Sequence, residues 1–316
     1  MLELIERGFS FWQIMPAVNF LPRYAEALRF WLPLYSTGRV EVFYYPRLRD
    51  NLYRRSMVIL PGHYVHVSSS IGMNNSSNIT MYSTDRKIVG AYVAQFKEHL
   101  ALCRPALSVY TDVRDFTRNY SEISLEQGNH IHMAFALSPN TIPRELIEQI
   151  IQETDNPDWK SAFQDNLEQI PQFEELLKST QYIDMVKLAS PEEIRTGKVY
   201  ITSTYKIFPG HPVYTPETYI MHLKNILRLM EQYENYYFVP YKDNGRENYN
   251  LIVNSEGTAL LFRTSAPPLM LKMQRPELVM ACQEYLMHKA EQIGYDGIYK
   301  EKNRLVIQGL IKELQR

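Results

Sequence analysis

The sequence predicts an α/β fold of two related lobes with mixed sheets, separated by a helical insertion, and the lobes are candidates for an internal duplication. Three observations carry this reading. An order of helix, aromatic strand, paired strands and helix occurs before residue 104 and again after residue 214. Pro22 and Pro46, which bound the first helix and strand, stand at the same interval as Pro216 and Pro240. Between the two occurrences lies a run of periodic helices rich in carboxylates. The division is 1–138 for an N-terminal α/β lobe, 139–197 for a helical insertion or cover, and 198–316 for a C-terminal α/β lobe. Few letters are shared, so the order of elements carries the duplication.

In the first lobe, PRYAEALRFWLPLYS (22–36) opens on a proline suited to a first helical turn and repeats Leu28, Trp31, Leu32 and Tyr35 at helical spacing. VEVFYYP then reads as a β-branched and aromatic strand closed by Pro46. MVILPGHYVHVSSS supplies one or two further strands, and STDRKIVGAYVAQFKEHLALC a helix with Val89, Val93, Phe96 and Leu100 on one stripe. ALSVYTDV and NHIHMAFAL are strands by composition.

The insertion reads as helices throughout: IPRELIEQIIQET, then NPDWKSAFQDNLEQI begun by Asn156, then PQFEELLKS after a break at Pro171. SPEEI at Ser190 combines a proline start with a capping box. In the second lobe Thr215 caps a helix with Ile220, Leu223, Leu227 and Met230 on its apolar stripe. ENYYFVP gives a strand ending at Pro240, NLIVNSEGTALLFRT a hairpin about Gly257, and QRPELVMACQEYLMHKAEQI a helix. The C-terminal stretch reads as a turn and strand, then a short helix edged by Leu310, Ile311 and Leu314.

Composition limits the function classes. A net charge of -1 supplies no general attraction to nucleic acid or to an anionic membrane. Two cysteines, Cys103 and Cys282, are too few for a disulfide framework or a thiolate-rich metal knot, and both are expected reduced. The opening MLELIERGFSFWQIMPAVNF carries Glu3 and Glu6 ahead of any apolar run, unlike a signal peptide, and no apolar segment approaches membrane length, so a cytoplasmic protein is expected. The 23 tyrosines and 13 phenylalanines cluster in VEVFYYP, GHYVHV and ENYYFVPY, where they suit sheet faces or an aromatic pocket.

The chemistry-bearing candidates are few. His130 and His132, at i and i+2 in NHIHMAF, project from one face of a strand, whereas His63 and His66 point to opposite faces. Arg263, between a strong strand and a proline-paired turn, suits bidentate contact with a carboxylate or phosphate. With Tyr237 of the aromatic strand, the candidate ligand-binding residues are His63, His130, His132, Arg263 and Tyr237. No metal, cofactor or catalytic residue is assigned, since phosphate loop, nucleophile elbow and zinc-protease histidines are all missing.

Two α/β lobes face to face resemble the architecture of the phospholipase D superfamily. That family's histidine, variable residue and lysine are replaced here by His130 and His132, and the second-lobe strand reads TALLFRT. The resemblance therefore implies the architecture without the covalent phosphoryl chemistry. Separately, Arg263-Thr264, Tyr285-Leu286 and Cys103-Arg104-Pro105, with Phe96, resemble the regulatory part of helix-turn-helix transcription regulators from low-GC Gram-positive bacteria, over about residues 35–290. This implies a cytoplasmic ligand-sensing or regulatory module, with a small-molecule effector and a homodimer or protein partner, and no membrane. Only about 20 residues precede the first strong helix, so no DNA reader is expected. Two alternatives stand beside it: a hydrolase using a noncanonical histidine/carboxylate site, and a protein-interaction or structural module.

Overall fold

The computed structural model describes residues 2–15, 34–35, 37–47, 53–71, 78–201, 212–241, 249–263, 269–293 and 299–316. The chain is a mixed α/β fold and divides into two compact units, Met1–Leu107 and Ser108–Arg316. The helix expected over 22–36 lies outside the described residues apart from Leu34 and Tyr35, both buried.

In the smaller unit a short helix α1 (Leu2–Glu6) precedes β1 (Phe11–Met15), which runs parallel to β2 (Val40–Tyr44). β3 (Tyr53–Leu60), β4 (Tyr64–Ile71) and β5 (Ile79–Ser83) form a separate antiparallel sheet. Alternation in β4 turns Val65 and Val67 inward, where they meet Val89 of α2 (Arg86–Ala101) with Met57, Ile59, Tyr92 and Val93 packed around them. Asp85 starts α2 by accepting from the backbone N–H groups of Lys87 and Ile88. β6 (Arg104–Tyr110) pairs antiparallel with β2 through a register shift between Val42 and Phe43.

The larger unit opens with α3 (Val113–Leu125), then β7 (His130–Ala134), a 3-10 turn at Pro139–Thr141, α4 (Arg144–Glu153) and α5 (Pro157–Ser179). β8 (Tyr182–Lys187), α6 (Pro191–Arg195) and α7 (Pro216–Gln232) follow. Then come β9 (Tyr236–Tyr241), β10 (Tyr249–Asn254), β11 (Thr258–Arg263) and β12 (Leu269–Met273), and finally α8 (Pro276–Ile293) and α9 (Lys300–Leu314). Its strands stand in the order β12-β11-β10-β7-β8-β9. β7, β8 and β9 are parallel, while β10, β11 and β12 form an antiparallel meander joined to β7 through β10. The two expected occurrences of strand, hairpin and helix are both present. Their pairings differ, because β3–β5 form their own sheet and β10–β12 continue into β7.

Three elements differ from the sequence reading. Pro171 does not break its helix: α5 runs continuously from Pro157 to Ser179. A proline inside a helix costs roughly 3 kcal/mol, but Trp159 and Phe163 before it and Phe173, Leu176 and Leu177 after it are all buried, so packing on both sides holds the axis. β8 is a strand inside the stretch read as wholly helical; buried on both faces, it is recruited by β7 and β9 rather than by its own pattern. Among the described residues of the final stretch, 299–316, there is one helix and no strand, because Ile307, Ile311 and Leu314 share a buried face. Pro240 falls within β9, the outermost strand in the order given, where a missing N–H is tolerated.

The main core of this unit lies where α4, α5, α7 and α9 close on Tyr182, Val186, Tyr236 and Phe238. A second cluster joins Phe116 and Ile123 of α3 to Ile252, Leu260, Phe262 and Met270. α3 therefore covers the sheet face that carries His130 and His132.

Candidate functional site

Parallel registry puts His132 of β7 directly beside Asp184 of β8, and His130 beside Tyr182, which is itself beside Tyr236 of β9. Alternation turns all five onto one face. His132 Nδ1 lies 3.1 Å from Asp184 Oδ1, with the two side chains 2% and 0% exposed. The approach is at ion-pair distance but off the hydrogen-bond line, so His132 Nδ1 and Nε2 and Asp184 Oδ1 are all without a hydrogen bond. The other carboxylate oxygen, Oδ2, accepts from the Tyr236 hydroxyl at 3.4 Å.

Tyrosines enclose this pair. Tyr120 of α3 meets the His132 ring edge-on at 6.0 Å, and its hydroxyl lies 3.2 Å from Ser138 Oγ. Burial, reinforced by the Asp184 charge, pushes the hydroxyls of Tyr120, Tyr182 and Tyr236 far above their ordinary range, which keeps them as O–H donors. Asn140, in the 3-10 turn, stands beside the Tyr182 hydroxyl. Neither Asn140 Nδ2 nor the Tyr182 oxygen makes a hydrogen bond of good geometry. Tyr120 is the one member of the group that keeps appreciable exposed surface.

The other buried histidines contrast with His132. His222 of α7 lies 2.6 Å from the Tyr214 hydroxyl through Nδ1 and 2.8 Å from Thr141 Oγ1 through Nε2. Thr141 spends its hydroxyl proton on the Ser138 carbonyl at 2.9 Å, so it accepts from Nε2–H, and Nδ1 accepts from Tyr214. Both nitrogens are satisfied, and burial pushes this imidazole down to about 3. His130 Nε2 donates to the Ile123 carbonyl at 2.7 Å, while its ring stacks on Tyr182 at 5.0 Å. Burial lowers its basicity too. Both of these rings are held by hydrogen bonds, whereas neither nitrogen of the buried His132 makes one, and its Nδ1 instead faces Asp184 Oδ1.

Within the larger unit the sequence-derived candidates fall on both faces of the sheet. His63 lies in an exposed turn of the smaller unit, where its N–H donates to the Leu60 carbonyl. His130 and His132 share a face. Tyr237 is on the opposite face with the Lys300 ammonium 5.1 Å from its ring centroid, and Arg263 ends β11 with its guanidinium 5.8 Å from the Tyr249 ring. Asp184, Tyr120 and Asn140 escaped the sequence reading. Asp184 sits in β8, whose stretch reads as helical in the sequence, and Tyr120 in α3, a segment whose pattern announces no element. The aspartate in YIDMVK, flanked by β-branched and aromatic residues, was the available signal.

A cleft of about 650 Å3 opens elsewhere in this unit, lined by Glu122, Glu126, Asp165, Glu168 and Lys272. It touches Ile123, whose carbonyl holds His130, but neither His132 nor Asp184 lines it. Lys272 spans it by reaching Asn119 and Glu122 at 3.0 and 3.2 Å. Among the described residues no three His, Cys, Asp or Glu side chains gather as a metal site, and no helix is long and apolar enough to cross a membrane. Cys103 and Cys282 carry no disulfide, and burial pushes the Cys282 thiol up to about 12.

Comparison with known protein families, with curated proteins and with solved structures finds no match to this chain.

Proposed function

We propose that the larger unit is a hydrolase-type acid–base catalyst in which Asp184 orients His132 and His132 Nε2 is the base. The single observation that carries this is the register-matched His132–Asp184 pair at 3.1 Å, fully enclosed, with Nε2 left without a partner. A buried carboxylate beside a buried imidazole is expensive to desolvate, and an apolar pair would pack the same strands more cheaply. In the reaction, Nε2 takes a proton from water, the resulting hydroxide adds to an acyl carbon, and the proton passes to the departing alcohol. Asn140 Nδ2 and the Tyr182 hydroxyl are unspent donors in the same group, suited to an oxyanion. The members Tyr120, Ser138, Asn140, Tyr182 and Tyr236 carry no charge, which favours a small uncharged ester over a phosphate. Entry requires the Tyr120 ring on α3 to swing away, since it is the member with exposed surface.

The test is hydrolysis of neutral, short-chain fluorogenic esters by the full chain and by His132→Gln, with circular dichroism confirming that both are folded. Loss of a base lowers the rate by about 10²–10⁴-fold. No turnover by the unaltered protein, or equal turnover by His132→Gln, would sink the reading.

A further inference from the structure

At the carboxyl ends of β7 and β8, one row of side chains crosses four neighbouring strands. Lys187 ends β8, Phe135 follows the last residue of β7, Tyr249 begins β10, and Arg263 ends β11. The strand registers place them side by side. Ala134 pairs with Val186, so Phe135 stands next to Lys187. Leu251 pairs with Met133, so Tyr249 stands next to Phe135 in the antiparallel sense, and Tyr249 pairs with Arg263. Alternation puts all four on the sheet face opposite His132. The order is cation, ring, ring, cation.

Each cation leans over the neighbouring ring. Lys187 Nζ is 5.9 Å from the Phe135 centroid, and Arg263 Cζ is 5.8 Å from that of Tyr249. All four side chains are half-buried. Tyr241, paired with Lys187 on β9, backs Phe135 edge-on at 6.5 Å and donates its hydroxyl to the Ala134 carbonyl, which fixes the inner wall. The Phe135 N–H is tied to Asn250 Oδ1 at 3.1 Å. Glu193 senses the charge of Lys187, yet among the described residues no carboxylate forms an ion pair with that lysine. A half-buried ammonium with no carboxylate at ion-pair distance among the described residues, beside preorganised rings, has charge left to share.

We infer that this row is a binding site for a flat aromatic dianion, its ring lying on Phe135 and Tyr249 and its two carboxylates or phosphates reaching Lys187 and Arg263. Three strand spacings separate the outer Cα atoms, roughly 14 Å, and both heads lean inward, so the span suits two anionic groups on one ring system rather than a single small anion. The carboxyl ends of parallel strands are where open α/β sheets place ligands. Guanidinium recognises a carboxylate through two parallel N–H donors, while the ammonium contributes a point charge. The site is independent of the hydrolytic reading, since it shares no residue with the His132–Asp184 group.

Calorimetric titration of the full chain tests this with three probes: terephthalate, its saturated analogue cyclohexane-1,4-dicarboxylate, and inorganic phosphate. Terephthalate is expected to bind, the saturated dianion at least several-fold more weakly, and phosphate weakest. Lys187→Gln and Phe135→Leu should each weaken terephthalate about tenfold or more. Ester hydrolysis by Lys187→Gln should remain at the level of the unaltered chain, so failure of one proposal leaves the other standing. Absence of terephthalate binding, or affinity indifferent to both substitutions, overturns the site. Equal affinity for the saturated dianion overturns the role of the rings.

Discussion

His222 gives the sharpest quantitative prediction. It is fully enclosed, both ring nitrogens are committed, and burial holds it near 3 against an ordinary 6.5. Between those values the folded chain keeps the imidazole neutral while the unfolded chain takes up a proton. Stability contributed by this difference is therefore complete above pH 6.5 and is lost as the pH falls toward 3. Each pH unit in that window costs about 1.4 kcal/mol. Relative to neutral pH, the loss is about 2 kcal/mol at pH 5 and about 3 kcal/mol at pH 4. His222→Gln removes the titrating group while leaving every other one in place, so the difference between the two stability curves isolates it. Urea unfolding followed by circular dichroism at intervals from pH 7.5 to 4 measures both. The variant starts less stable, because Gln cannot reach both Tyr214 and Thr141 with the same geometry. The gap should then narrow by about 1.4 kcal/mol per pH unit below 6.5. Parallel curves across the whole range would refute the tautomer and the enclosure inferred for His222. His130, lowered by the same cause, adds a slope of the same sign to both proteins and cancels.

Two backbone and core predictions follow from particular contacts. Gly128 has φ +107°, and a Cβ there would stand 2.8 Å from Glu256 Cγ and 3.0 Å from Asn254 Oδ1; Gly257 has φ +110° with open space around it. Both carry the same left-handed strain, so Gly128→Ala should cost more than Gly257→Ala in the same urea titration by the overpacking alone, roughly 1–3 kcal/mol, and equal costs would show that the turn before His130 yields. Trp159→Ala empties a side chain 2% exposed that packs on Phe163 at 5.9 Å, and should cost about 3–5 kcal/mol in unfolding free energy. A loss under about 1 kcal/mol would mean that α5 does not dock through that residue.

The linear sequence settled what depends on near neighbours. Asp85, Asn156, Ser190 and Thr215 begin helices because an oxygen side chain meets backbone N–H groups two or three residues on, and Ser190 with Glu193 closes a capping box as read. The shared face of His130 and His132 follows from the two-residue period of a strand alone. What their partners are does not. Asp184 reaches His132 only because β8 enters between β7 and β9, and YIDMVK has no alternation to announce a strand buried on both faces. Pro171 likewise reads locally as a stop, yet Trp159, Phe163, Phe173 and Leu177 outweigh the lost hydrogen bond once they share a core. The same division separates three buried histidines that look alike in the sequence. Local pattern makes each a plausible strand or helix residue; only the packed structure gives His222 two partners, gives His130 a carbonyl and a stacked ring, and leaves His132 facing a carboxylate with its remaining nitrogen unspent. Local chemistry acts over a few bonds, whereas the protonation and role of a buried imidazole are set by groups that folding brings from 52 or 81 residues away.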